Sequence, residues 1–393
     1  MHYRLPGILF VLITLFCFSC SPTDVPPAPI LLSSIQLAQY DSTALNSIST
    51  SNDSLVYQAA DYTVTVTRIS YRTTLKDGTP ITASGVVYVP RQTTANHKRY
   101  PLLSFQHPTA FSNTEIPTGY NFRSASFSYQ LYFATHGYIV SCPDYVGYGD
   151  ASLSPHNYEH QQSLAQATVD MLLATKAYLS QQHIEWNDQI FLAGYSEGGY
   201  ATLSAQKLIE ANYVGTLRLA GSSCGAGPYA MPAFFNYVTQ NPTVGGVANQ
   251  IYAWQTLSYN RVYNLGKPVS YFFKSPYAER ISTSLDSART IALSFDQICT
   301  DEFLADVRNP ASPFSQALDD NDLTNWSTQT PTRLFHSQED EIVPFLTSQQ
   351  TYASMRLRGS ANLNLVTLNT GGHVPTEVVF MFRTLDWFEQ LRK

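Results

Sequence analysis

The chain alternates between short apolar runs and longer stretches in which small and apolar residues recur at helical spacing. The apolar runs lie at residues 101–105, 138–142, 189–193, 217–220, 333–335 and 363–368. Runs without alternating polar positions are typical of strands that are buried on both faces of a parallel sheet. Helical spacing is clearest at residues 163–179, after Ser196 and at residues 376–391. The pattern predicts an α/β fold in which a mostly parallel central sheet is flanked by helices.

The first part of the chain follows a different pattern. Residues 62–67 alternate polar and apolar side chains, residues 85–89 are rich in β-branched ones, and Lys-Asp-Gly at residues 76–78 is a turn sequence. This combination predicts an antiparallel hairpin that opens the ordered domain, which we place at residues 59–393. Residues 30–58 are rich in serine and weakly patterned. We expect them to form a loose lead-in with one helical turn.

The alternation of strands and helices stops between residues 228 and 330. The composition there turns to aromatic residues, Asn and Pro, and includes Phe234, Phe235, Trp254 and Tyr271. A structureless loop of this length is uncommon in a compact domain. The sequence therefore predicts a mainly helical cap insertion over about residues 228–330, which covers one end of the sheet and forms a substrate pocket.

Composition excludes a disordered chain and a nucleic-acid-binding protein. Hydrophobic residues make up 44% of the 393 positions, which is enough for one large core. The 23 Lys and Arg against 29 Asp and Glu leave a net charge of −6, and the cations are scattered. Binding to nucleic acid would require a basic stripe that neutralises phosphates. Charged residues reach only 13% of the chain, and this weakly charged composition favours an extracellular setting.

The N-terminus has the features of an export signal. Arg4 precedes an apolar run at residues 8–18, and Cys20 follows this run after one small residue. The run is too short to span a membrane, which requires about 20 apolar residues. Residues 1–19 resemble a bacterial lipoprotein signal peptide, and residues 20–58 would then contain the lipidated Cys20, a Pro-rich tether and the lead-in. The resemblance implies a lipid-anchored protein of the cell envelope, periplasmic or surface-facing; plain secretion and an uncleaved anchor are the alternatives.

Two sequence features could suggest a metal site. Cys142, Cys224 and Cys299 are odd in number and far apart, so we expect buried free thiols rather than disulfides or metal ligands. His156 and His160 stand in an H-x-x-E-H pattern, which on a helix would place two ligands on one face. The residues around them lack apolar periodicity, and a solvated polar loop is the favoured interpretation. We therefore predict no metal.

The sharpest local motif is a G-x-S-x-G pentamer. Gly194 and Gly198 flank Ser196 at two residues on either side, between an apolar run and a helical stretch. A strand, this pentamer and a helix in that order form a nucleophile elbow, in which the glycines let strand and helix approach closely. The serine would be presented at the carboxyl end of the strand. The amide of Glu197 would then point into the site as an oxyanion donor.

A serine hydroxyl is a poor nucleophile until a base accepts its proton, so a histidine and an orienting carboxylate must follow later in the chain. His373 lies in a Gly-rich loop between the last apolar run and the last helical stretch. Asp340 follows the preceding apolar run, with Glu339 and Glu341 as adjacent rivals. The order Ser196, Asp340, His373 is the order in which α/β-hydrolases carry their triad.

These motifs together give the chain a family resemblance. It resembles the α/β-hydrolases, and within them the secretory lipases and the bacterial LipA-like esterases. The residues that carry the resemblance span the chain from about residue 60 to its end, and they are 194–199, 142–150, 163–171, Asp340 and His373. The segment Pro-Asp-Tyr-x-Gly-Tyr-Gly within residues 142–150 is the most specific of them, and we assign its Asp144 to loop structure.

The resemblance also implies a second oxyanion donor in the loop at residues 106–110. Similar enzymes carry His-Gly-Thr there, whereas this chain has Pro108 at the glycine position. Proline has no N–H, so Thr109 is the candidate donor. We expect His107 to fix the loop rather than to act as a second base.

The sequence thus predicts a carboxylic-ester hydrolase, an esterase or lipase that works through a Ser-Asp-His triad and an acyl-enzyme. It would need no cofactor, and its partners would be a small-molecule or lipid ester and the membrane through Cys20. A serine peptidase of the prolyl-peptidase type is the enzyme alternative, although the chain before Ser196 is too short for the β-propeller such enzymes generally add. A surface binding protein that kept the fold and lost the chemistry is the alternative from another class.

Overall fold

The computed structural model describes residues 1–2, 29–50, 62–92, 99–119 and 125–393. Its strands form one nine-stranded sheet in the order β1-β2-β3-β5-β4-β6-β7-β8-β9. The strands are β1 Leu31–Tyr40, β2 Tyr62–Thr74, β3 Pro80–Gln92, β4 Tyr100–Gln106, β5 Ile139–Pro143, β6 Trp186–Tyr195, β7 Leu219–Gly225, β8 Thr332–Ser337 and β9 Leu363–Leu368. Strands β1, β2, β3 and β5 pair antiparallel in that order, and all pairs from β5 to β9 are parallel.

Helices cover both faces of this sheet. They are α1 Ser42–Thr50, α2 Ala125–Thr135, α3 Gln161–Gln181, α4 Glu197–Asn212, α5 Met231–Val238, α6 Val247–Val262, α7 Val269–Phe272, α8 Tyr277–Thr283, α9 Phe295–Ile298, α10 Asp301–Arg308, α11 Pro313–Asp320, α12 Leu346–Leu357 and α13 His373–Leu391. Phe191 of β6 packs in one core with residues of α2 and α13, whereas the next residue, Leu192, packs in another with residues of α3 and α4. Successive strand residues point to opposite faces, so the central strands are buried on both sides. The predicted fold class is confirmed.

The prediction of a loose lead-in is wrong for residues 31–40, whereas the helical turn expected in the same region is present as helix α1. Strand β1 pairs antiparallel with β2 along most of its length, and α1 follows it. Most side chains of β1 are exposed on both faces, so the strand shows neither alternation nor a continuous buried run. Backbone hydrogen bonds to β2 define this strand, and those bonds leave no hydrophobic pattern. The predicted hairpin is formed by β2 and β3, with residues 76–78 in its turn.

The region between β7 and β8 is helical, as predicted. Helices α5 to α11 form a cap whose centre is an aromatic cluster. Phe303 and Phe314 meet edge to face at 5.0 Å between ring centroids, and Phe272 meets Phe303 at 5.2 Å. The cap is joined to the sheet domain by the Tyr252 hydroxyl, which donates to the carbonyl of Ile342 at 2.6 Å. Cys142, Cys224 and Cys299 are buried free thiols, as expected. Within the described ranges, no helix combines the length and apolar character needed to cross a membrane.

Candidate active site

Ser196 lies at the sharp turn between β6 and α4. Its backbone adopts φ 58° and ψ −123°, a strained conformation for a residue with a side chain. The Ser196 N–H donates to the carbonyl of Gly225 at 2.8 Å, which holds the turn against β7. A Cβ at Gly194 would lie 2.3 Å from the Gly198 carbonyl oxygen, so the turn closes only with glycine there. The serine side chain is thus held at the carboxyl end of the sheet.

His373 reaches Ser196 from the loop after β9. Its Nε2 lies 2.9 Å from the Ser196 Oγ. Two bonds fix its backbone: the Tyr195 hydroxyl donates to the His373 carbonyl at 2.6 Å, and the His373 N–H donates to Glu341 Oε2 at 2.9 Å. The imidazole is therefore held against the serine by groups on both neighbouring loops.

Asp340 contacts the other side of this imidazole. His373 Nδ1 lies 2.6 Å from Asp340 Oδ2. Asp340 Oδ1 accepts from the backbone N–H groups of Ile342 and Val343 at 3.0 and 2.8 Å. Asp340 is 8% exposed, whereas the adjacent Glu339 and Glu341 are exposed. Of the three neighbouring acids, Asp340 is the one that bonds the His373 ring.

Charge and burial act in opposite directions on this pair. Burial would raise the pKa of the Asp340 carboxyl, but the charge of His373 and hydrogen bonds from His336 and His373 hold that pKa well below its usual range. Burial would lower the pKa of His373, but the charge and hydrogen bond of Asp340 outweigh it and raise that pKa above its usual value. The arrangement keeps Asp340 ionised and makes His373 a stronger base than an isolated imidazole.

His336 is a neighbour that sequence reasoning missed. It is fully buried, its Nδ1 lies 2.7 Å from Ser348 Oγ, and its Nε2 lies 2.8 Å from the Val343 carbonyl oxygen and 3.2 Å from Asp340 Oδ2. Its position four residues before Asp340, inside a buried strand, was the available signal. A histidine in such a strand is equally typical of a hydrogen-bonded core residue.

The loop after β4 passes directly over the start of α4. A Cβ at Gly198 would lie 2.1 Å from the Gln106 carbonyl oxygen. None of the described residues accepts a hydrogen bond from the amide of Glu197 or of Thr109, the two predicted oxyanion donors. The Thr109 hydroxyl bonds the Tyr158 hydroxyl at 2.7 Å. His107 is fully buried, and its ring contacts only backbone carbonyls through hydrogen bonds, those of Pro108 at 2.6 Å and Asp144 at 3.3 Å.

The segment with the H-x-x-E-H pattern is a loop, but the prediction that it is solvated is wrong. His156, Glu159 and His160 are 7%, 2% and 1% exposed. His156 Nε2 lies 2.6 Å from Glu197 Oε1, and His160 accepts from the Ser163 N–H at the start of α3. The two histidines can be buried because their ring nitrogens bond other groups of the fold, which sequence periodicity does not reveal. In the part of the chain that the structure describes, no three His, Cys, Asp or Glu side chains are arranged to hold a metal ion.

The sheet order and the elbow at Ser196 define the fold class as an α/β-hydrolase. A model of the secretory lipase family matches residues 129–392, and the chain belongs to this family. A search of curated proteins found no match.

Solved structures are similar over most of the chain. The rice cell wall degrading esterase LipA from Xanthomonas oryzae is 28% identical with a TM-score of 0.78, over 91% of this chain and 96% of that one. A putative hydrolase from Legionella pneumophila is 22% identical with a TM-score of 0.82, over 93% and 99%. Candida antarctica lipase A is 16% identical with a TM-score of 0.65, over 92% and 81%. The predicted resemblance is confirmed, and the protein is a hydrolase that acts on esters.

Proposed function

We propose that the protein is a serine carboxylesterase or lipase whose triad is Ser196, Asp340 and His373. The observation that carries this proposal is one continuous chain of hydrogen bonds, from Asp340 Oδ2 to His373 Nδ1 at 2.6 Å and from His373 Nε2 to Ser196 Oγ at 2.9 Å. The groups come from loops after three different strands, so their meeting is not a product of local sequence. The distances match a nucleophile, a base and an orienting acid.

In the acylation step, Ser196 Oγ attacks the acyl carbon of the ester while His373 Nε2 accepts the hydroxyl proton. The imidazolium that forms is stabilised by ionised Asp340, which also holds the proton on Nδ1. His373 then gives its proton to the leaving alkoxide, and the C–O bond breaks. An acyl-enzyme and a free alcohol result.

Deacylation repeats the same chemistry with water. His373 removes a proton from water, the hydroxide attacks the acyl carbon, and the acid leaves as Ser196 regains its proton. Both steps place negative charge on the carbonyl oxygen. We assign its stabilisation to the amides of Glu197 and Thr109, which are supported by their lack of described acceptors and by the close approach of the two loops.

The proposed substrate is a small-molecule or lipid ester with an apolar part near the scissile bond. Aromatic rings lie close to the loop at residues 106–110: Trp254 stacks on Tyr158 at 4.6 Å between centroids, and Phe111 lies 5.9 Å from Trp254. The similarity to a cell wall degrading esterase supports ester hydrolysis outside the cytoplasm. The preferred length of the acyl chain is measured with the series of esters given below.

The test is turnover of nitrophenyl esters from acetate to palmitate by the wild type and by Ser196→Ala. We expect hydrolysis that disappears in Ser196→Ala and persists in Ser204→Ala, a matched control on the same helix whose hydroxyl bonds a helix carbonyl. Stoichiometric labelling of Ser196 by a fluorophosphonate would identify the nucleophile. Cleavage of a proline arylamide without ester turnover would instead favour the peptidase, and a folded protein inert to both substrates would favour the binding protein.

We also propose that residues 1–19 are a signal peptide and that Cys20 is lipidated, which would anchor the enzyme in the cell envelope. Residues 3–28, which include Cys20, lie outside the described ranges, and the support is the sequence together with membership of a family described as secretory. Mass spectrometry of the mature N-terminus tests the proposal. We expect an acylated Cys20 and release of the protein into the medium for Cys20→Ser; an unmodified mature N-terminus would indicate plain secretion.

A further inference from the structure

The side chain of Glu197 is buried beside the proposed nucleophile. It is fully buried, and its Oε1 bonds His156 Nε2 at 2.6 Å. The amide of the same residue is the first proposed oxyanion donor. A carboxylate that is withdrawn from water requires a partner, and removal of that partner would leave the group uncompensated. The position of the Glu197 backbone is therefore coupled to His156.

His156 is fixed at both ring nitrogens. Its Nδ1 lies 2.7 Å from the Val146 carbonyl oxygen, opposite the bond from Nε2 to Glu197. Hydrogen-bond partners on opposite sides leave the ring no other orientation. The backbone is fixed as well: Arg261 donates to the His156 carbonyl at 2.6 Å, and a Cβ at Gly147 would lie 2.4 Å from the His156 Cα. The turn at Gly147, with φ 105°, thus packs directly on His156.

The segment that contains His156, residues 145–158, also contacts the loop after β4, which carries the second proposed oxyanion donor. Three tyrosine hydroxyls contact consecutive parts of the loop after β4. Their bonds are Tyr145 to the His107 carbonyl at 3.1 Å, Tyr148 to the Ala110 carbonyl at 2.5 Å, and Tyr158 to the Thr109 hydroxyl at 2.7 Å. In addition, the Tyr145 ring stacks on His107 at 4.2 Å between centroids. The loop itself has no regular secondary structure, so these contacts determine where the Thr109 amide points.

We propose that residues 145–158 are a clamp that positions both oxyanion donors, the Glu197 amide through His156 and the Thr109 amide through Tyr145, Tyr148 and Tyr158. These four are positioning residues, because they act through the backbone of Glu197 and of Thr109 and not on the substrate. The inference rests on the proposed function. It also assigns a role to the Pro-Asp-Tyr-x-Gly-Tyr-Gly segment, whose two tyrosines are the first half of the clamp. Oxyanion donors must be held within about 0.5 Å of their productive position to be effective.

The experiment measures esterase kinetics and inhibition by a trifluoromethyl ketone in Tyr158→Phe and His156→Ala. A trifluoromethyl ketone forms a tetrahedral adduct with the serine, and its affinity therefore reports on the oxyanion site. Loss of a whole donor costs about 10²–10³ in kcat. We expect roughly a tenfold loss in kcat for Tyr158→Phe and up to about a hundredfold for His156→Ala, since each misplaces a donor without removing it. KM should change little, and the inhibition constant should rise in proportion to the loss in kcat/KM.

A double-mutant cycle tests the Glu197–His156 coupling. If each side chain acts through the other, His156→Ala combined with Glu197→Ala should cost little more than either alone. Glu197→Gln should recover most of the activity lost in Glu197→Ala, because the side-chain amide has both a donor and an acceptor with which it can bond His156 Nε2. Additive losses in the cycle would overturn the assignment of His156.

Tyr259→Phe is the matched control. Its hydroxyl donates to the Glu159 carbonyl at 2.8 Å, in the same loop region but with no contact to either donor. It should lower the melting temperature without changing kcat or the inhibition constant. Each kcat is calculated per active site, and the active sites are counted by complete titration with a fluorophosphonate. Wild-type kcat and inhibition in Tyr158→Phe and His156→Ala, with lowered stability only, would overturn the clamp, whereas an active Ser196→Ala would overturn the proposed function instead.

Discussion

Asp340→Asn is the substitution for which the structure dictates the most specific outcome. Asn and Asp have the same shape, so the side chain can occupy the native position. Its oxygen must stay where Asp340 Oδ1 now accepts from the N–H groups of Ile342 and Val343, because an amide NH₂ there would face two donors. The NH₂ must then replace Oδ2, where it faces His373 Nδ1 at 2.6 Å and His336 Nε2 at 3.2 Å. Backbone N–H groups can only donate, whereas an imidazole can change its tautomer, so this orientation is the favoured one.

This orientation reverses the tautomer of His373. The Asn NH₂ donates to Nδ1, so the imidazole proton moves to Nε2 and points at Ser196. A protonated Nε2 cannot accept the serine proton. The corresponding change in a serine protease lowers kcat by about 10⁴, which is about 5.4 kcal/mol at 1.36 kcal/mol for each factor of ten. We expect a loss of this order in kcat with a nearly unchanged KM.

The assay is initial-rate kinetics on nitrophenyl butyrate, with circular dichroism and thermal unfolding to show that the variant is folded. Glu341→Gln is the matched control. It is the adjacent acid, it is exposed, and its carboxylate accepts the backbone N–H of His373, a bond that the amide oxygen of Gln can also accept. We expect its kcat within about threefold of wild type, as for most surface contacts.

Two results would refute this reasoning. A folded Asp340→Asn enzyme that keeps more than about one per cent of wild-type kcat would show that the tautomer of His373 does not depend on Asp340. A larger loss in Glu341→Gln than in Asp340→Asn would move the orienting role to the neighbouring acid.

Three further predictions follow from the same geometry. Asp340 raises the pKa of His373 above its usual value of about 6.5, and only neutral His373 can accept a proton, so kcat/KM should fall with decreasing pH through a midpoint above about 6.5. A pH–rate profile with a midpoint below about 6.5 would contradict this prediction. The lowered pKa of Asp340 stabilises the folded protein at pH values above about 3.9, the pKa of the carboxyl in the unfolded chain, so the free energy of unfolding should decrease as the pH falls below this value. Urea unfolding of Asp340→Asn should show a less steep decrease. A Cβ at Gly198 would lie 2.1 Å from the Gln106 carbonyl, and a 1 Å displacement can cost about 10²-fold, so Gly198→Ala should lose about this much kcat/KM while Gly215→Ala, with open space around it, should not.

The sequence was sufficient to predict those parts of the molecule that depend on local pattern. The central strands were identified because they are buried on both faces, and the elbow because its glycines are required by a close backbone approach. Asp340 could be narrowed only to a group of three acids, since all three follow the same strand. Asp340 differs from the other two acids because two backbone N–H groups donate to its Oδ1. The residue types in the sequence do not reveal this geometry.

Two errors share a different cause. Strand β1 was missed because its side chains are exposed, so that backbone pairing with β2 alone defines it. The H-x-x-E-H loop was assigned to solvent because its residues are polar, although Glu197 and Val146 bond His156 and Ser163 bonds His160. Hydrogen bonds make burial of polar groups possible without any hydrophobic periodicity.

The strand order explains why the clamp has the form it does. Strand β4 lies between β5 and β6 in the sheet, and all three run parallel, so their carboxyl ends meet at one edge. The loop after β4 is therefore flanked by the segment that follows β5 on one side and by the elbow after β6 on the other. Tyrosine hydroxyls approach it from the first side, and Gly198 packs against its carbonyls from the second. To hold both donors, the segment after β5 must extend past the β4 loop, and His156 is the residue with which it reaches Glu197.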